Sequence, residues 1–245
     1  AFAPDPFGTA LRRALLEGGV SLNYAQTVPD QETPLCFISN ASDGERFFLH
    51  RGGDPFGAMQ APRDLPLPTF DWLVFGISSM RTIEQRFLLD QLIQRQRGWV
   101  VCDPGTCPSW WGDPSLMKMH LLERISKIDI LKCSRPEATW LTECQDPAQA
   151  AYRLTKMGAR IGIVTDGANG IYYQYGGNSQ HVQSPLANAV DTTGAGDAAL
   201  AGILHALVKA QRPPSESALQ TAIECGAKLG ANTVKFQGAG PWQLT

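Results

Sequence analysis

Residues 191–197 read Asp191-Thr192-Thr193-Gly194-Ala195-Gly196-Asp197, and the run from Ala198 to Val208 is apolar nearly all round, with Leu200, Leu204, Leu207 and Val208 at helical spacing. Such a helix is buried. The two glycines flanking Ala195 let backbone N–H groups turn toward one point without interference from a Cβ. The amides of a first helical turn have no intrahelical partner, and the helix dipole places partial positive charge there. Phosphate is the natural guest of that arrangement. A carboxylate at Asp197 would then lie beside a phosphoryl group in transfer and accept the proton of an attacking hydroxyl, a role worth ~10²–10⁴-fold in rate. A bare G-x-G has a plainer reading, a tight turn with Asp197 as helix cap. The full heptad ahead of an apolar helix favours the chemical one. Neither G-x-x-x-x-G-K-[ST] nor an H-R-D catalytic loop occurs, so P-loop and protein-kinase readings lack their motifs.

Upstream, short apolar runs alternate with helical patterns. Residues 72–77, 99–102, 128–131, 160–165 and 171–174 read as strands, the last two around a turn at 166–170. Residues 82–97, 115–125, 136–141 and 148–157 read as helices or helical turns. Strands alternating with helices pair in parallel and carry helices on both faces. Nearer the start, Asp5-Pro6 followed by Phe7, Leu11 and Leu15 marks a capped helix ending near Gly18-Gly19. Residues 33–39 and 46–50 are β-type runs joined through Asn40-Ala41-Ser42-Asp43-Gly44, hairpin chemistry that breaks the alternating rhythm. The expectation is one α/β domain over 1–245, with a small β lid at about 30–54.

Composition narrows the function. The 21 Lys+Arg stand against 23 Asp+Glu for a net charge of −2, and no basic run is present to grip nucleic acid. The longest apolar stretches, 72–77 and 198–204, fall far short of the ~20 residues of a membrane-spanning helix. The expectation is a cytoplasmic chain that binds neither nucleic acid nor membrane. Six cysteines and four histidines are scattered without metal-ligand spacing, so the cysteines read as buried small hydrophobes in a reducing compartment.

At the heptad the sequence resembles the ribokinase-like (PfkB) family of carbohydrate kinases, whose C-terminal motif is D-T-x-G-A-G-D. Further landmarks follow in the family's order. ILKCSRPEATWL within 128–141 is similar to the segment carrying N/S-x-x-E, with Ser134 and Glu137 at those positions; VTDGANG at 164–170 is similar to the T-x-G-x-x-G turn; TVKFQGA at 233–239 resembles the closing loop. The resemblance implies a three-layer sandwich with a mostly parallel central sheet. It implies Asp197 as catalytic base and the amides of Gly194, Ala195 and Gly196 as the anion hole. ATP and Mg²⁺ are the implied cofactors, with Glu137 holding Mg²⁺ through water, Ser134 near the phosphates, and Thr165, Gly167 and Gly170 along the nucleotide. Asp191 and Thr193 resemble a monovalent-cation site suited to K⁺. A simple turn-forming role remains open for Asp191, as does that of a solvated acid for Glu137.

The substrate signal resembles fructokinase-like members. Arg51 follows the aromatic strand of the lid, and Asp103-Pro104 match D-P-N-x-R, although Gly105 and Cys107 replace its Asn and Arg. Arg51 and Asp103 are thus the candidate sugar contacts. The family's N-terminal Gly-Gly-x-x-x-N motif is absent, and Ala1–Pro4 and Asp5–Gly8 resemble segments that lie about 40 positions apart in the family. We therefore expect that Pro4 and Asp5 are not neighbours in the natural protein and that a strand precedes Ala1. Fructose is the expected substrate; 2-keto-3-deoxygluconate, ribose, a nucleoside, or a catalytically silent ligand-binding role are alternatives. An exposed lid edge leaves room for a homodimer.

Overall fold

The computed structural model describes residues 1–40, 46–54, 57–58, 69–105, 113–208 and 210–239. They form two compact units, Ala1–Leu67 with Ser78–Gln91, and Pro68–Ile77 with Leu92–Thr245.

In the smaller unit, helix α1 (Pro6–Glu17) starts where the sequence predicts. Pro6 supplies a preset φ at the first turn, and Asp5, in extended conformation, caps it by accepting from the Gly8 amide at 2.7 Å. The same carboxylate accepts from the Thr33 amide at 2.6 Å and its hydroxyl at 2.7 Å. The Gly8 bond, then those of Thr33, hold the Asp5 carboxyl below its usual range. Strands β1 (Leu35–Asn40) and β2 (Arg46–Arg51) form an antiparallel ribbon from Leu35↔Arg51 to Asn40↔Arg46. The expected turn between them, like Cys107, lies outside the described residues. Arg81 forks onto Asp54 at 3.0 and 2.7 Å within the same unit.

The larger unit is built on a six-stranded sheet of order β3-β4-β5-β6-β7-β8. Strands β3 (Trp72–Phe75), β4 (Trp99–Cys102), β5 (Ile130–Ser134) and β6 (Ile161–Thr165) run parallel, while β7 (Ile171–Tyr175) and β8 (Asn178–Val182) add antiparallel. Alternation along β6 sorts the layers. Ile161 and Ile163 join a core with Leu200, Ile203, Leu219 and Ile223, from α6 (Ala195–Leu207) and α7 (Glu216–Thr233). Gly162 points the other way, where a Cβ would lie 2.4 Å from the Ala151 carbonyl oxygen and 3.0 Å from the Leu154 Cβ of α5 (Pro147–Lys156). Three layers result, as the sequence implies. Helices α3 (Pro114–Leu122) and α4 (Arg135–Thr142) fall where the periodicity places them, within a few residues, as does α2 (Ile83–Arg95), most of which belongs to the smaller unit.

Two elements go beyond the sequence reading. β8 is an exposed polar strand at the sheet edge, so it shows no apolar alternation. Its signal was Gly176-Gly177, both at positive φ between the paired Tyr175 and Asn178, the glycine pair of a tight hairpin. α7 buries Leu219, Ala222, Ile223, Gly226 and Ala227, a helical stripe made faint by small residues. Those small residues permit a close crossing. A Cβ on Gly202 of α6 would lie 2.9 Å from the Gly226 Cα, and one on Gly226 would lie 2.6 Å from Ile203 Cγ1 and 2.7 Å from the Ala199 carbonyl oxygen.

The cysteine expectation needs correction. Cys102 and Cys133 are buried, with thiols pushed well above their usual range by burial, but Cys36 is exposed and Cys144 and Cys225 are half-buried. Among the described residues no helix is long and apolar enough to cross a membrane.

The α6–α7 crossing gives a direct test. Gly226→Val should destabilise the chain by about 1–3 kcal/mol, the range for overpacking a tight core, seen as a lower urea midpoint by tryptophan fluorescence. A solvent-facing change on the same helix, Gln220→Val, should leave the midpoint nearly unmoved.

Candidate active site

The parallel strands β3 to β6 end at one edge of the sheet, where open α/β folds bind their ligands. A cleft of about 450 Å³ lies there within the larger unit. Phe75-Gly76 reaches it from β3, Asp103 from β4, Lys132 and Ser134 from β5, Thr165 from β6, Glu137 from α4, and Gly196 and Asp197 from the first turn of α6. Six of the residues expected from sequence therefore line one cavity: Asp103, Ser134, Glu137, Thr165, Gly196 and Asp197.

The start of α6 has the expected form. Gly194 caps it at φ 77°, a left-handed conformation that suits glycine, and a Cβ there would strike Ala239, 2.6 Å from its carbonyl oxygen. The amide of Ala195 donates to the Thr192 carbonyl at 3.3 Å, and that of Ala198 to the Gly194 carbonyl at 2.9 Å. Among the described residues the amides of Gly194, Gly196 and Asp197 donate to no protein acceptor. Of the three amides expected to form the anion hole, that of Ala195 is thus engaged internally, while those of Gly194 and Gly196 are not. Asp197 is exposed on the third residue of the helix.

Asp191 and Thr193 lie outside the cleft lining and stitch the approach to this turn. One Asp191 oxygen accepts from the Thr193 amide at 2.9 Å and hydroxyl at 2.8 Å, and the other from the Gly238 amide at 3.0 Å. The Val190 and Asp191 amides both donate to the Val234 carbonyl. These bonds tie 190–193 to residues 234–238.

Ser134 and Glu137 form a capping box at the start of α4. Glu137 Oε2 accepts from the Ser134 amide and hydroxyl, each at 2.7 Å, which satisfies an orphan donor and fixes the carboxylate at the cleft. Gly167 and Gly170 lie beyond the cleft lining, in the turn after β6, with φ of 55° and 101°. Arg51 ends β2 in the smaller unit with an exposed side chain.

Sequence reasoning missed Lys132. Its ammonium lies 2.5 Å from Asp103 Oδ2, with only 4% of the Lys132 side chain and 17% of the Asp103 side chain exposed. It is also 3.3 Å from where a Cβ on Gly196 would sit, so the cation stands at the start of α6. Burial pushes the Asp103 carboxyl up, against the pull of Lys132, and the negative charges of Glu137 and Asp197 push the same way. The available signal was a lysine inside the otherwise apolar run ILKC, where a strand buried on both faces leaves no room for an unpaired charge.

With this geometry in place, the comparisons with known proteins are unambiguous about class. The profile of the pfkB family of carbohydrate kinases matches residues 3–243, and the chain belongs to that family. It is 27% identical over 233 residues to the fructokinase of Vibrio alginolyticus, covering 91% of this chain and 75% of that one. It is also 27% identical over 242 residues to the aminoimidazole riboside kinase of Salmonella typhimurium, covering 96% and 75%. Among solved structures, the fructokinase of Vibrio cholerae O395 with fructose, ADP and calcium superposes with a TM-score of 0.85 at 22% identity, over 98% of this chain and 79% of that one. That likeness shows the ribokinase-like fold.

Lys132→Met would leave Asp103 buried without its partner and should destabilise the chain by about 3 kcal/mol at neutral pH. The sign with pH follows from the raised Asp103 carboxyl. A buried acid whose folded pKa lies above its unfolded value is neutral in both states at low pH, and its penalty appears as pH rises through the carboxyl range. The gap between variant and parent should therefore narrow on acidification, as read from urea midpoints across pH.

Proposed function

We propose that the chain transfers the γ-phosphoryl group of ATP to a hydroxyl of fructose. The observation that carries this reading is the meeting, in one cleft, of the exposed Asp197 carboxylate, the unpartnered first-turn amides beside it and the buried Lys132 ammonium. In the proposed step Asp197 accepts the proton of the attacking sugar hydroxyl. The amides of Gly194, Gly196 and Asp197 donate to the oxygens of the migrating phosphoryl group, and Lys132 offsets its charge from the Asp103 side. Phosphoryl transfer rests chiefly on such positioning and charge stabilisation.

A divalent cation, Mg²⁺ in this reading, supplies neutralisation of the phosphate oxygens when bound. Among the described residues no group of three or more His, Cys, Asp or Glu could cage a metal. Mg²⁺ takes most of its ligands from water and phosphate. Glu137, its carboxylate fixed by Ser134, would hold the ion through water. Thr165 with Gly167 and Gly170 would flank the nucleotide, and K⁺ would sit near Asp191 and Thr193. Arg51 and Asp103 are the proposed sugar contacts. A cytoplasmic location, where ATP and free sugar meet, belongs to the same reading, as does pairing of two copies along the β1–β2 ribbon.

Fructose is favoured because several of the curated relatives are named fructokinases. The relative named for aminoimidazole riboside supports a second reading with a riboside acceptor on the same machinery. ATP turnover with Mg²⁺ against fructose, ribose and aminoimidazole riboside decides between them. Fructose should give the highest kcat/KM, and Asp197→Asn should lower kcat by ~10²–10⁴-fold while ADP binding persists. Equal turnover in parent and variant would remove Asp197 from the step.

A further inference from the structure

The turn after β6 is held in a manner that its own sequence does not announce. Residues Gly167–Asn169 form a single 3₁₀ turn between β6 and β7, and its three successive carbonyls each meet a different side chain from one short segment. Ser184 Oγ donates to the Gly167 carbonyl at 3.0 Å, Gln183 Nε2 to the Ala168 carbonyl at 3.0 Å, and His181 Nε2 lies 2.7 Å from the Asn169 carbonyl. A carbonyl oxygen only accepts, so His181 carries a proton on Nε2. Its ring is fixed in turn by stacking on Tyr172, with centroids 4.3 Å apart and planes 26° apart.

Backbone packing sets the distance at which this comb works. His181 pairs with Tyr172 and Val182 with Ile171 across β7 and β8. Gly170, at φ 101°, lets the chains close, since a Cβ there would lie 2.2 Å from the Val182 carbonyl oxygen. On the opposite side the turn is braced by Asp166, whose Oδ2 accepts from Arg135 Nη1 and Asn169 Nδ2, each at 3.1 Å. Gly167 keeps a left-handed φ of 55°, and nothing lies within 4 Å of where its Cβ would be. The turn is thus fastened by the 181–184 side chains and by Asp166, and the face toward which a Gly167 Cβ would point is open.

We propose that His181, Gln183 and Ser184 are positioning residues for the donor nucleotide, holding the 167–169 turn by its carbonyls so that its open side keeps the shape a nucleotide meets. The proposal rests on the reading of 165–170 as part of the nucleotide site. The backbone closes the turn with the Asn169-to-Asp166, Gly170-to-Gly167 and Asp166-to-Gly170 bonds, which leave the Ala168 and Asn169 carbonyls to the side chains. Three external donors remove freedom that a ligand would otherwise have to freeze on binding.

The test is a triple variant, His181→Phe with Gln183→Leu and Ser184→Ala, which keeps the stacking ring and side-chain volume but removes every donor. The KM for ATP and the Kd for ADP by calorimetry should rise about tenfold, the order expected from three modest hydrogen bonds, while kcat and the sugar KM stay within about twofold. Ser184→Thr, which keeps its hydroxyl, should match the parent where Ser184→Ala does not. Equal loss in kcat and in both KM values, with a fallen thermal midpoint, would show a general structural role and overturn the proposal. Unchanged ATP KM in a variant of normal stability would overturn it too. Failure of the parent itself to bind ADP would instead sink the kinase reading.

Discussion

The contact between Lys132 and Asp103 is what allows the carboxyl edge of this sheet to hold its chemistry. Three carboxylates, those of Asp103, Glu137 and Asp197, converge on one cleft at the ends of adjacent strands and helices. Charges of one sign gathered in a partly buried space repel, and burial raises the free energy of each ionised form. One buried ammonium at 2.5 Å from Asp103 offsets the most enclosed of the three. The other two are managed differently, Glu137 by the capping bonds of Ser134 and Asp197 by the helix start on which it sits.

That local balance needs the first turn of α6 held in place, and the constraint is carried through the fold by small residues. Gly202 and Gly226 bring α6 and α7 to backbone distance, and Gly230 lies where a Cβ would be 3.2 Å from the Ala195 carbonyl oxygen. At such separations there is little compliance. Helix α6 in turn rests on Ile161 and Ile163 of β6, the strand that ends at Thr165. The same strand therefore supports the first turn of α6 and leads into the 166–170 turn.

Much of this architecture was legible in the sequence because it follows strong periodicity. The buried runs at Trp99–Cys102 and Ile161–Thr165, the proline-led helices and the heptad ahead of an apolar helix each carry their structure locally. What escaped is non-local or chemically faint. Lys132 looks like an interruption in an apolar strand until Asp103, 29 positions away, is brought beside it. α7 hides because alanine and glycine give a weak stripe, and β8 because an edge strand has no face to bury. The engagement of the Ala195 amide depends on where Thr192 places its carbonyl, which spacing alone does not encode. The comb at 181–184 likewise acts on a turn that precedes it by a full hairpin.

The carboxylate of Asp191 joins the loop before α6 to Gly238, and Ala239 packs against Gly194. Residues 234–239 thus act as a strut for the bend ahead of α6. Proteolytic clipping behind Val234 would leave the cleft's side chains intact yet release the bend from outside, silencing the molecule without touching a reacting group. An affinity tag fused there would lean on the same strut.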